Sequence, residues 1–230
     1  MVAAETSWVV VVPIKELRVA KSRLAGVTDS ERGDLAMAMA MDVVSAAITA
    51  QAVAAVVVVT NDLRAAAELG ELGARVVADV TDSGLNDALA GAARAAGVLW
   101  PRSGVCALSS DLPCVDAATL DVALGRAAAH QRGVVPDRRG DGTTMLTARA
   151  GTDLAPRYGV ASRSEHMKAG AEQLDTTGLD RLRLDVDTRD DLVAALALGV
   201  GSHTAQCAAP APIGGAIMLP TRARGRESGR

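Results

Sequence analysis

Short Val-rich runs alternate with helix-length stretches through the first half of the chain, and this alternation constrains the fold more than any other feature. The runs over residues 8–12, 53–60, 74–78 and 104–109 are apolar and β-branched, the pattern of strands buried on both faces. Between them the spacing predicts helices over 31–51, opened by a Thr28 to Glu31 capping box, over 62–72, ended by Gly73, and over 85–96, ended by Gly97. Such alternation predicts an α/β fold whose mostly parallel sheet carries helices on both faces. Its ligands should lie beyond the carboxyl ends of the strands, where the strand order reverses. After a helix over 116–129, the pattern changes to runs at 133–136 and 143–148 around a turn at Arg139-Gly140-Asp141-Gly142, read as a hairpin that interrupts the parallel order. A helix over 164–174, a short strand at 182–184 and a helix over 188–198 complete a domain of residues 1–200. Residues 201–230, with Pro210, Pro212 and a basic end, read as a flexible tail.

Composition narrows the function. With 49% apolar and 22% charged residues in 230, the chain is long enough to support one core without disulfides or a structural metal. A net charge of −3 argues against nonspecific binding to nucleic acid or anionic membrane, so phosphate chemistry needs a local cluster of cations. Aromatic residues make up 1% of the chain, which excludes base-stacking platforms for single-stranded nucleic acid. Cys106, Cys114 and Cys207 show no C-x-x-C spacing and only His130, His166 and His203 offer imidazole, so no zinc site is expected and the compartment reads as reducing. No apolar run approaches the ~18 residues of a membrane span, and Glu5 precedes the first apolar run without a basic n-region. The expectation is a cytoplasmic protein; oligomeric state is left open.

The residues after each strand carry the chemistry. Neither G-x-G-x-x-G nor a P-loop follows the first run, which removes two common phosphate cradles. Lys15, Arg18, Lys21 and Arg23 instead place four cations within nine residues at the expected ligand edge, a grip for polyphosphate; elsewhere such a run would read as a solvated face. The fourth run ends in Ser109-Ser110-Asp111-Leu112-Pro113, which puts a carboxylate at a strand end, while Asp116 is the better placed of the two to cap the following helix. In Leu184-Asp185-Val186-Asp187-Thr188, alternation puts both aspartates on one face of an extended segment. Asp185 or Asp187 could complete an oxygen-rich Mg²⁺ site with Asp111, the other capping the last helix together with Thr188.

In this order, Pro13-Ile14-Lys15 with Ala20-Lys21-Ser22-Arg23-Leu24, Gly84-Leu85-Asn86, Asp111-Leu112-Pro113, Gly142-Thr143-Thr144, Gly159 with Ser162-x-x-x-His166, and Asp185-Val186-Asp187-Thr188 resemble the guanylyltransferases of coenzyme F420 biosynthesis. The resemblance covers about residues 8–198 and implies a Rossmann-like nucleotidyltransferase fold and transfer of GMP from GTP to phosphoenolpyruvate or 2-phospho-L-lactate. By it, Lys21 with Lys15 and Arg23 grips the GTP phosphates, and Gly84, Leu85 and Asn86 belong to the nucleoside pocket. Asp111 and Asp185 become the Mg²⁺ ligands, with Asp187 as the register alternative, and Thr144, Gly159 and Ser162 hold the phosphorylated acid. Each also has a plainer role: Thr144 as a strand residue, Gly159 in a turn, Ser162 as a helix cap. Competing expectations are a molybdenum-cofactor or sugar-phosphate nucleotidyltransferase, against which the missing glycine-rich loop argues, and a nucleotide-binding module without turnover.

Overall fold

A computed structural model describes residues 7–15, 17, 28–79 and 84–209. Strand β1 (Trp8–Pro13) lies at the centre because Val9, Val10, Val11 and Val12 are all fully buried, which requires strands on both sides and helices on both faces. It pairs in parallel with β2 (Val53–Val59) on one side and β4 (Gly104–Leu108) on the other, and β3 (Arg75–Val77) extends the sheet beyond β2. The expected hairpin, β5 (Arg132–Pro136) and β6 (Thr143–Ala148), adds through β6, which runs antiparallel to both β4 and β5. With β7 (Glu172–Gln173) parallel to β5, the seven-stranded order is β3-β2-β1-β4-β6-β5-β7.

Alternation along β1 divides the core. Val10 and Val12 pack with helices α1 (Asp29–Thr49), α2 (Leu63–Glu71) and α4 (Ala117–Ala127), through Met37, Val44, Leu69 and Leu120. Val9 and Val11 face α3 (Leu85–Leu99), meeting Leu89 and Ala92. The Thr28–Glu31 capping box and the Asp116 cap, whose side chain accepts from Thr119 N, are both formed.

Three elements after residue 160 differ from expectation. The helix predicted over 164–174 is α5 (Ser162–Lys168); at Gly170 the chain takes φ +90°, leaves the helical path, and residues 172–173 join β5 as β7. The strand predicted at 182–184 is a single helical turn, α6 (Asp180–Arg183). Leu179 and Leu182 are both fully buried, so the i,i+3 spacing outweighs the Leu182/Leu184 alternation. After α7 (Arg189–Leu198), residues expected to begin the tail form α8 (Ser202–Ala208), which packs on α1 with Thr204 fully buried. The rest of the expected tail, residues 210–230, lies outside the described residues. Among the described residues no helix is long and apolar enough to cross a membrane.

Candidate active site

The strand order turns outward in both directions from β1 and β4, so the cleft between their carboxyl ends is the place where neighbouring crossovers diverge. Ile14 stays buried as its N–H donates to Val59 O at 2.9 Å, which leaves Lys15 exposed at the rim. After β4, Ser109 donates its N–H to Thr144 O at 3.0 Å and the chain continues through Ser110 to Asp111. These two strand ends, with Met39 of α1, Leu85 of α3 and Asp187, line a cavity of about 330 Å³.

Residues 184–187 bring the remaining carboxylates to this cleft. Leu184 and Val186 are buried against Leu35, Met39, Cys114 and Ala195, so the alternate residues Asp185 and Asp187 point away from that cluster. A hydrogen bond from Val186 N to Asp111 O, 3.0 Å, ties the segment to the end of β4. Burial, then the neighbouring charge of Asp111, and further Asp137 and Asp187, push the Asp185 carboxyl up to about 6. Crowded carboxylates of this kind are the donor chemistry of a hard divalent cation. Among the described residues no group of three or more His, Cys, Asp and Glu could hold a metal ion, so a cation here would draw further ligands from substrate oxygens and water.

Neither Asp185 nor Asp187 caps the last helix as expected for the one not binding metal. Thr188 is the N-cap of α7, and its capping-box partner is Asp191, whose carboxylate accepts from Thr188 N at 2.9 Å. Of the two, Asp187 lines the cavity, while Asp185 lies close enough to Asp111 to feel its charge.

Lys21 and Arg23 lie outside the described residues; the described residues before and after them are held by side-chain hydrogen bonds. Leu17 N donates to the Asp62 carboxylate at 3.0 Å, and Thr28 opens α1 through its capping box. Gly84 is the N-cap position of α3, and Leu85 reaches the cavity. The Asn86 side chain is bonded to Tyr158: its Oδ1 accepts from Tyr158 N at 2.7 Å and its Nδ2 donates to Tyr158 O at 3.0 Å. Thr144 is a buried strand residue whose hydroxyl donates to Val135 O at 3.4 Å. Ser162 is buried and is the first residue of α5, not its cap; that position belongs to Ala161. Gly159 has φ +142°, a conformation that favours glycine although the space around it is open.

Sequence reasoning missed Asp137, which follows β5 much as Asp111 follows β4. It is buried, and its carboxylate accepts from Gly140 N at 2.6 Å and Asp141 N at 3.0 Å. The same rule of inspecting strand ends would have found it. His166 is likewise buried, at 1% exposed, with both ring nitrogens hydrogen-bonded.

Comparison with known proteins supplies the family. A family model described as "Guanylyl transferase CofC like" matches residues 8–210. The chain belongs to this family. The match runs past the residue-198 limit of the sequence resemblance and takes in α8, in line with that helix packing on the body. Among CofC-like relatives, the phosphoenolpyruvate guanylyltransferase of Thermomonospora curvata is 49% identical over 209 residues, 91% of this chain and 92% of the relative. That of Streptomyces coelicolor is 48% identical, covering 90% of this chain and 99% of its own length. A solved 4-diphosphocytidyl-2C-methyl-D-erythritol synthase superposes with a TM-score of 0.57 at 14% identity, over 85% of this chain and 100% of that one. A CMP:2-keto-3-deoxy-manno-octonic acid synthetase complexed with CTP gives 0.51 at 15%, over 84% and 98%. At these identities the two structures show the nucleotidyltransferase fold alone, the Rossmann-like class expected from the sequence. This CofC-like chain is thus an enzyme of the nucleotidyltransferase class.

Proposed function

We propose that the protein transfers GMP from GTP to phosphoenolpyruvate, releasing pyrophosphate, as a cytoplasmic step of coenzyme F420 biosynthesis. The names of the relatives that share nearly half its residues over nine-tenths of its length support this reading. The observation that carries it is the junction of Asp111 with the 185–187 segment, closed by the Val186 N to Asp111 O bond beside the Lys15 rim.

A phosphate monoester with a second pKa of about 6 is largely dianionic at neutral pH and attacks without a general base. This suits a cavity with no histidine among its described lining residues. An acceptor phosphate oxygen attacks the α-phosphorus of GTP, a new P–O bond forms, and the bond to the pyrophosphate leaving group breaks. Lys15, joined by Lys21 and Arg23, holds the β- and γ-phosphates in line and offsets charge as it builds on pyrophosphate. Asp111 and Asp185, with Asp187 beside them, would hold Mg²⁺, whose charge lowers the repulsion between the two anionic substrates. Thr144, Gly159 and Ser162 would receive the acid.

The test is pyrophosphate release and mass detection of the product, with GTP or ATP and with phosphoenolpyruvate, 2-phospho-L-lactate or 3-phosphoglycerate, in Mg²⁺ and in chelator. GTP is expected to exceed ATP by at least tenfold in kcat/KM, about 1.4 kcal/mol, with phosphoenolpyruvate the best acceptor and chelator abolishing turnover. Equal use of ATP and GTP would point to a sugar-phosphate type of nucleotidyltransferase instead.

A further inference from the structure

Residues 155–161, the second half of the segment between β6 and α5, carry backbone conformations that a relaxed loop would not keep. Ala155 and Ala161 both have positive φ, +48° and +53°, and Gly159 between them has φ +142°. L-residues enter the left-handed region at a cost and remain there only where surrounding contacts over-determine the backbone. Between Ala155 and Ala161, two side chains from different elements bond the backbone of Arg157 and Tyr158.

From α3, the Asn86 carboxamide clips the Tyr158 peptide groups at both ends, accepting from its N–H at 2.7 Å and donating to its carbonyl at 3.0 Å. From α5, His166 Nε2 accepts from Arg157 N at 2.8 Å. That bond requires a lone pair on Nε2, so the proton sits on Nδ1 and is donated to Thr143 Oγ1 at 2.9 Å. Burial, reinforced by Arg157, pulls His166 down to about 4, which keeps it in this neutral form at neutral pH. The ring also meets Tyr158 edge-on, with centroids 4.9 Å apart. Consecutive residues Arg157 and Tyr158 are therefore held from two sides, and the next residue is Gly159.

We propose that Asn86 and His166 are positioning residues for the acceptor acid: together they fix the 155–161 loop so that Gly159 and Ser162 present a preformed cradle to its phosphate and carboxylate. Asn86 acts through Tyr158, one residue from the cavity-lining Leu85. The clip also joins the first turn of α3, on the nucleotide side, to the acceptor loop. This inference rests on the proposed guanylyl transfer to a phosphorylated acid, and its test separates the two.

The variants are Asn86→Ala, His166→Ala and His166→Gln, assayed with GTP and phosphoenolpyruvate beside wild type, with amide hydrogen exchange read at Arg157 and Tyr158. Asn86→Ala should raise KM for the acid at least tenfold, leave KM for GTP within about twofold, and speed exchange at the Tyr158 amide. His166→Ala should do the same with exchange faster at Arg157. In His166→Gln a carboxamide oxygen can still accept at the Nε2 position, so most of the acceptor affinity should return. A rise in KM for GTP with the acid unaffected would overturn the proposal in favour of direct nucleotide contact. Lower melting temperature with both KM values unchanged would reduce the pair to a structural role. If wild type releases no pyrophosphate with any acid, the proposed function fails, and unchanged exchange at Arg157 and Tyr158 would then reject the clip by itself.

Discussion

At the residue scale, the aspartates behave as members of one electrostatic unit. Asp185 is raised to about 6, first by burial and then by Asp111, so its ionised form is disfavoured in the folded protein. A carboxylate with a raised folded pKa is a liability above that pKa, and removing its charge relieves it. Asp185→Asn and Asp111→Asn should each lower Mg²⁺-dependent turnover by at least about 10²-fold, the scale of losing one stabilising contact to the reacting phosphates. The melting temperature of Asp185→Asn at pH 7–8 without divalent cation should equal or exceed that of wild type. Near-normal turnover in Asp185→Asn would move the ligand role to Asp187, and in Asp111→Asn it would remove the mechanism. Both aspartates were legible in the sequence because strand-end position and period-2 spacing are local properties. That Asp191 partners Thr188 in the capping box was not, since Asp187, Asp190 and Asp191 all lie within reach of the start of α7 and only the backbone geometry selects one.

At the scale of elements, local patterns succeeded where one signal acted alone and failed where two competed. The Thr28–Glu31 box and the Asp116 cap formed as read. Past residue 160, short apolar repeats fit helix and strand alike, and the partner available on β5 decided for β7. α8 shows a tertiary cap that no local pattern announces. Asp42, buried in the middle of α1, accepts from His203 N at 3.0 Å and Thr204 N at 2.9 Å, partners 161 and 162 residues away. Asp42→Ala leaves these buried donors unpaired and should destabilise the protein by about 1–2 kcal/mol. Urea unfolding would report that loss, and hydrogen exchange should quicken across α8 while turnover per folded molecule is retained. An unchanged urea midpoint would mean that α8 contributes little to the body.

For the whole molecule, stability against acid should depend on His166. Its folded pKa of about 4 lies below its ordinary 6.5, so the folded state binds fewer protons than the unfolded chain between those values. Its share of stability is therefore full above pH 6.5 and is lost as pH falls toward 4, on the order of 3 kcal/mol at most. Urea midpoints of wild type should drop through this window more steeply than those of His166→Gln; parallel curves would show that the ring does not resist protonation. How much of the molecule could be read beforehand follows the same division between near and far. The amino-acid sequence by itself determined the four strand–helix alternations, the antiparallel hairpin, the α/β class and the strand-end residues Lys15 and Asp111, because hydrophobic period and chain order express them within a few residues. Only the tertiary structure decided which strand ends adjoin, that Val186 docks on Asp111, that Asp137 adds its charge, and that Asn86 and His166 serve a loop far along the chain from Asn86. Those outcomes come from packing two core layers onto one twisted sheet, where contacts between distant residues form only when the whole sheet has closed around them.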